Sequence, residues 1–273
     1  MRAFLVALPR FWHRYDYITK HVASVSSLPI ELVGVDGAEA IKDSSCYNAQ
    51  VNSLSAGQIG CALSHVTAYR RIVDLGLDCG VVIEDDAALP LNFDAVVSEM
   101  AKQIREGEIL SLYSPSMQEA VYSSEGAVAI QRMRLLAPMD ARFVRTTAVY
   151  IIERRAAERL AQLNFPVRAT ADDFRLFYEN GALNHIRVLQ PTPVEIVGFE
   201  STIGYIQDKS MKKQVSRLLN SLPPAQTVLR LRRQLIHRKR SRNFREVNLK
   251  SPLMDANPAY LEWGALSTEH RRA

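Results

Sequence analysis

Glu84, Asp85 and Asp86 stand side by side, directly after the apolar run Gly80-Val81-Val82-Ile83. Three adjacent carboxylates repel one another and are costly to desolvate unless positive charge sits beside them. A short β-branched run reads as a buried strand. In open α/β sheets, ligands bind just beyond the carboxyl ends of such strands. If the backbone stays extended through the acidic tip, side chains alternate and Glu84 and Asp86 point the same way. Two carboxylates on one face suit a hard divalent cation. The competing reading is a solvated acidic turn.

Other chemistry-bearing residues fall near predicted strand ends. Arg10 and Arg14 lie a turn apart after the first strand, placed either to contact a diphosphate or to form a solvated helix face. Asp36, before Gly37, either accepts hydrogen bonds from a ribose or base or shapes the turn. His65 lies inside an apolar helical stripe, where a bond to a backbone group is the ordinary outcome. Asp172 and Asp173 precede the short helical stretch from Phe174, where a carboxylate caps free backbone N–H groups or serves as general base or second metal contact.

The elements that must position these groups follow from periodicity. Residues 3–8 read as a strand ended by Pro9. Phe11, Tyr15, Ile18, Val22 and Val25 then mark one face of an amphipathic helix. Residues 30–35 read as a second strand. Ser55 and Gln58 form a capping box for a helix over 57–75, which Gly76 stops. Further helices are predicted over 92–105 and 154–163, and strands over 108–113, 146–152 and 186–189. Residues 114–145 read as irregular. No G-x-G-x-x-G and no G-x-x-x-x-G-K is present, which disfavours a dinucleotide enzyme or a P-loop ATPase.

A chain of 273 residues, 47% of them apolar, is long enough for one large α/β domain with an appendage and too apolar for wholesale disorder. Cys46, Cys61 and Cys79 cannot all pair, and none shows metal-ligand spacing. With no signal peptide visible and no apolar run of about 20 residues, a reducing cytoplasm is the expected compartment. The net charge of +5 hides an asymmetry: residues 209–245 hold 12 Lys or Arg and no Asp or Glu, leaving 22 basic against 29 acidic residues elsewhere. An acidic domain over 1–205 is therefore followed by a basic tail over 206–273. Within it, residues 228–245 pair a short apolar stripe with many arginines, a pattern that suits an anionic membrane surface or, alternatively, a plain solvated tail. Nucleic acid is the weaker alternative, since Phe244 is the stretch's lone aromatic for stacking on bases.

Taken together, these pieces resemble glycosyltransferase family 25, the lipopolysaccharide and lipooligosaccharide galactosyltransferases. Leu8-Pro9-Arg10 and Arg14 are similar to that family's opening. Residues 54–65 are similar to its Gly-Glu-x-x-Cys-x-x-Ser-His segment, and residues 82–86 to its acidic strand end. Residues 147–152, a helix and Asp173 follow in the family's order. Gln58 stands where the family usually has Glu, Thr146 and Val149 where it commonly has Gly, and Glu153 replaces a small polar residue.

The resemblance implies a GT-A-like α/β fold with a Rossmann-like central sheet. It implies inverting transfer of a hexose, galactose first, from a UDP-sugar to a lipid-linked surface glycan. Asp86, helped by Glu84 or Asp85, would hold Mn²⁺ or Mg²⁺, and Asp173, with Asp172 second, would be the base. Leu8, Pro9, Arg10, Arg14, Asp36, Gly57, Ser64, His65, Glu84 and Asp85 would bind the donor. The enzyme would then sit peripherally on the inner face of the bacterial cytoplasmic membrane. The rival readings are another metal-dependent sugar-nucleotide enzyme, either nucleotidyltransferase or hydrolase, and a non-catalytic basic binding module.

Overall fold

Ala3–Val6 (β1) is an unbroken apolar run, and Ala3, Phe4 and Leu5 are buried. Such a strand needs cover on both faces, and here it receives it. In this computed structural model, which describes residues 1–48, 54–114, 122–139, 141 and 144–199, β1 lies between Ile30–Leu32 (β2) and Cys79–Glu84 (β3), parallel to both. The helix Trp12–Val25 (α1) makes the first crossover, turning Ile18, Val22 and Val25 inward as their spacing predicts.

Beyond β3 the sheet changes direction. Val149–Glu153 (β8) runs antiparallel beside β3, pairing Ile83 with Val149, and then antiparallel to Glu108–Ser111 (β5). His185–Gln190 (β9) lies parallel to β5. Tyr122–Ile130 (β6) and Met133–Pro138 (β7) complete an eight-stranded mixed sheet of order β2-β1-β3-β8-β5-β9-β7-β6. Residues 122–138 are thus a hairpin where the sequence reads as irregular. Its ladder is completed by β9, some fifty residues away, and no local propensity announces that partner.

Side chains of β3 alternate as a pleat requires. Val81 and Ile83 face a core shared with α1 and with Phe93–Ala101 (α4). Val82 faces the opposite core, shared with Ala56–Asp74 (α3) and Arg154–Leu163 (α5). The result is a sheet between two helical layers, the α/β architecture expected. The Ser55–Gln58 capping box is present at the start of α3, and Gly76 after it has φ +61°. Asn92 precedes α4 without a side-chain capping bond. A buried pair, Arg187 Nε to Glu108 Oε1 at 2.6 Å, ties β9 to β5. The basic tail, with its expected helix and membrane contact, lies outside the described residues.

Candidate active site

β1 and β3 run parallel and end together, so the segments after them open onto one cleft of about 430 Å³, in the usual range for small-ligand sites. One wall comes from the start of α3. Gly37 and Gly60 permit its close approach: a Cβ on Gly37 would stand 1.8 Å from the Ala56 carbonyl oxygen, and one on Gly60 2.5 Å from the Gly37 nitrogen. Opposite, Glu195–Ile196 (β10) pairs with Ala87–Ala88 (β4), and Val197 N donates to the Asp86 carbonyl oxygen at 2.8 Å. This brings Phe199 over Arg14, whose guanidinium lies 5.4 Å from the ring centroid.

The acidic tip is divided. The strand stops at Glu84 and residues 85–86 form a turn, so the alternation that would put Glu84 and Asp86 on one face does not hold. Glu84 turns toward α3, meets Nε2 of His65 at 3.2 Å and accepts from the Thr147 hydroxyl. Asp85 and Asp86 share Nη2 of Arg14, with Asp86 at 3.1 Å.

The two halves also differ electrostatically. Burial raises Glu84's affinity for a proton, yet the bonds from His65 and Thr147 and the nearby Arg14 outweigh it and hold the carboxyl below its ordinary value. For Asp86, burial and the charge of Glu84 outweigh Arg14 and push the group up to about 6. Burial also raises Asp85, against the opposing bond from Arg14. Oδ1 of Asp86 is buried with no hydrogen-bond partner among the described residues. A buried carboxylate oxygen lacking a donor is the kind of ligand Mn²⁺ or Mg²⁺ takes, so this residue fits a hard cation.

Among the described residues the His65 ring meets two side chains and not the backbone group its helical stripe suggests. It is 1% exposed, and Nδ1 meets the Tyr150 hydroxyl at 2.7 Å. Tyr150 in turn meets the Tyr69 hydroxyl at 2.8 Å. This buried chain of polar groups ends on Glu84, which lines the cleft.

Leu8, Arg10 and Arg14 line the cleft from the end of β1 and the start of α1, and Gly57 and Ser64 line it from α3. Asp172 joins Glu84, Asp85 and Asp86 as its fourth carboxylate. Four expected residues lie outside the lining. Pro9 sits in the β1–α1 turn. Asp36 caps Gly37–Ala40 (α2), accepting from Ala38 N at 2.8 Å, and pairs with Arg10. His65 is behind Glu84. Asp173 caps Phe174–Glu179 (α6), accepting from Leu176 N at 3.1 Å. Its neighbour Asp172, one position earlier, is the one that faces the cleft.

Sequence reasoning missed several lining groups, among them Cys61, Tyr113, Thr146, Thr147 and Phe199. The Cys61–His65 spacing, i to i+4 on one helix, was a legible signal, and the expectation that no cysteine shows metal-ligand spacing overlooks it. Thr146 carried one too, standing where the resembled family commonly has Gly; its φ is +68°, a left-handed conformation rare for a β-branched residue.

Known proteins resemble parts of this chain. Residues 36–175 match the family model for glycosyltransferase family 25 (LPS biosynthesis protein). Over 112 residues the chain is 25% identical to procollagen galactosyltransferase 1 of Danio rerio; the match covers 39% of this chain and only 17% of that protein's length. Among solved structures, mannose-1-phosphate geranyltransferase from Thermus thermophilus is similar at 11% identity with a TM-score of 0.32, over 68% of this chain and 58% of that one.

Proposed function

This chain belongs to glycosyltransferase family 25, and on that premise we propose that its cleft takes a UDP-hexose, UDP-galactose first, and transfers the sugar with inversion to a hydroxyl of a lipopolysaccharide, lipooligosaccharide or related surface glycan. The observation that carries the reading is the buried Oδ1 of Asp86, without a hydrogen-bond partner among the described residues, beside Arg14 and in the same cleft as Asp172.

The residues divide the work. Breaking the anomeric C–O bond leaves a nucleoside diphosphate with extra negative charge. Arg14, held by Asp85 and Asp86, exchanges those partners for diphosphate oxygens when the donor binds, and Arg10 at the cleft rim adds a second charge-assisted bond. Asp86, with Asp85 beside it, would hold Mn²⁺ or Mg²⁺, which supplies Lewis-acid charge against the leaving diphosphate. Asp172 accepts the acceptor hydroxyl's proton as that oxygen bonds to the anomeric carbon from the opposite face. His65 and Thr147 keep Glu84 ionised, so a fixed negative charge sits beneath the cation site.

The basic tail extends this proposal. It would dock on the anionic inner face of the cytoplasmic membrane, bringing the cleft to a lipid-linked acceptor, at about 1 kcal/mol per Lys or Arg close to the surface. No helix among the described residues is long and apolar enough to cross a membrane. Sedimentation with anionic liposomes compares the full chain with one ending near Ser210; equal pelleting removes the tail's role.

Thermal-shift measurements with UDP, GDP and CMP, each with and without Mn²⁺, test the donor site. UDP at about a hundredfold over its Kd adds roughly 2.7 kcal/mol, a rise of several degrees. The rise should require metal and vanish in Asp86→Ala. Stabilisation by CMP alone, or without metal, would overturn the UDP-sugar reading.

A further inference from the structure

Cys61 and His65 are four residues apart on α3, so both side chains leave the same face of the helix. β3 delivers Glu84 to that face. One ligand atom from each residue, a thiol sulfur, an imidazole nitrogen and a carboxylate oxygen, lies within 4.8 Å of the other two. Among the described residues this is the set of three that gathers so closely; Glu84, Asp85 and Asp86 do not.

The spacing is already near that of a coordination sphere. Zn–N and Zn–O bonds of about 2.0–2.1 Å give a tetrahedral N···O edge of about 3.3 Å. Nε2 of His65 stands 3.2 Å from Oε1 of Glu84. A Zn–S bond of about 2.3 Å gives sulfur edges of roughly 3.6 Å, so a thiol within 4.8 Å of its neighbours has at most about 1.2 Å to travel.

The surroundings hold the ligands in place. Tyr150 contacts Nδ1 of His65 at 2.7 Å and meets Tyr69 at 2.8 Å. Both hydroxyls can donate or accept, so the chain can reverse: the imidazole proton moves from Nε2 to Nδ1, and the Nε2 lone pair turns to a cation. A bond of this kind on the far nitrogen is what metal-bound histidines carry. Thr147 donates to Oε1 of Glu84, the same oxygen that meets His65, and holds it in place. Cys61 and Glu84 both line the cleft, so a fourth position faces it.

We infer that Cys61, His65 and Glu84 form a binding site for a divalent cation of the zinc class, with three protein ligands and a fourth position open to the cleft. Sulfur and imidazole in the set select Zn²⁺, or Co²⁺ as its probe, over Mg²⁺ and Mn²⁺. Binding forms bonds from the cation to sulfur, nitrogen and oxygen. It breaks the S–H bond, and that proton leaves to solvent; nothing is oxidised or reduced. The site does not depend on the transfer reaction, whose cation falls to Asp85 and Asp86.

The test uses the full chain, kept reduced and stripped of metal by a chelator, then titrated with Co²⁺ and followed by absorption. The expected result is a near-ultraviolet thiolate-to-cobalt charge-transfer band with the intense visible bands of four-coordinate cobalt. Zn²⁺ should erase both, and a large excess of Mg²⁺ neither. His65 is too buried for a safe deletion, so Cys61→Ser carries the comparison, with its melting temperature checked against wild type. The band should disappear in Cys61→Ser and persist in Cys46→Ser and Cys79→Ala. Absence of the band in wild type, or its survival in Cys61→Ser, overturns the site. Either failure leaves the metal-dependent UDP shift untouched, so the two proposals fall separately.

Discussion

Glu84 and His65, nineteen positions apart in the chain, meet at 3.2 Å between Oε1 and Nε2. That contact separates Glu84 from the two aspartates that follow it. Three consecutive acids therefore sit in two surroundings. Glu84 is held ionised by a buried polar chain. Asp85 and Asp86 rest on Arg14, and Oδ1 of Asp86 is buried with no hydrogen-bond partner among the described residues.

Asp86→Ala should fold and lose turnover by about 10²-fold or more, the scale on which electrostatic stabilisers of a leaving group act. Circular dichroism and an assay of UDP release from the donor check the two halves. Wild-type turnover in the variant, or in excess EDTA, contradicts the assignment.

Asp172 and Asp173 should part company. Asp172→Asn should lower turnover by about 10²–10⁴-fold with little change in stability, as loss of a general base does. Asp173→Ala removes a helix cap and should cost about 1 kcal/mol, with turnover largely kept. Parallel kinetics and thermal melts decide it; the reverse pattern would make Asp173 the base.

The metal-free protein should carry a pH-dependent penalty at Asp86. A carboxyl raised in the fold contributes stability that is complete below its ordinary value of 3.8 and is lost as pH rises through about 6. Asp86→Asn, which cannot ionise, should therefore be more stable than wild type at pH 7.5, by about 1–2 kcal/mol after allowing for solvent screening. The gain should shrink from pH 6 downward and be gone near pH 4. Urea melts in chelator across that range measure it, and a pH-independent difference contradicts the burial argument.

Thr146→Gly should stabilise. A β-branched residue at φ +68° costs on the order of 1–3 kcal/mol, and its hydroxyl oxygen is buried without a hydrogen-bond partner among the described residues. Glycine removes both penalties at the price of chain entropy, leaving a gain of about 1 kcal/mol. A lower melting temperature would show that the threonine packs usefully against the cleft wall.

Much of this was legible in the chain alone. The capping box at Ser55 and Gln58, the α1 stripe and the acidic end of β3 depend on neighbours within about four residues, and local spacing encodes them. The 122–138 hairpin was not legible, because its ladder is completed by β9. Nor was the placement of Asp172 in the cleft lining and of Asp173 on the end of α6, since the two differ by one position and by which way the turn before α6 faces.

Residue order determined which groups would crowd the end of the central strands, because apolar periodicity dictates what is buried and buried strands end where charge begins. The tertiary structure decided which of those groups touch. A turn at residues 85–86 sends one acid toward a helix and two toward an arginine, and α3 carries Cys61 and His65 to the first. Partners that lie nineteen or seventy-one positions apart are chosen by packing, and packing is a property of the whole fold.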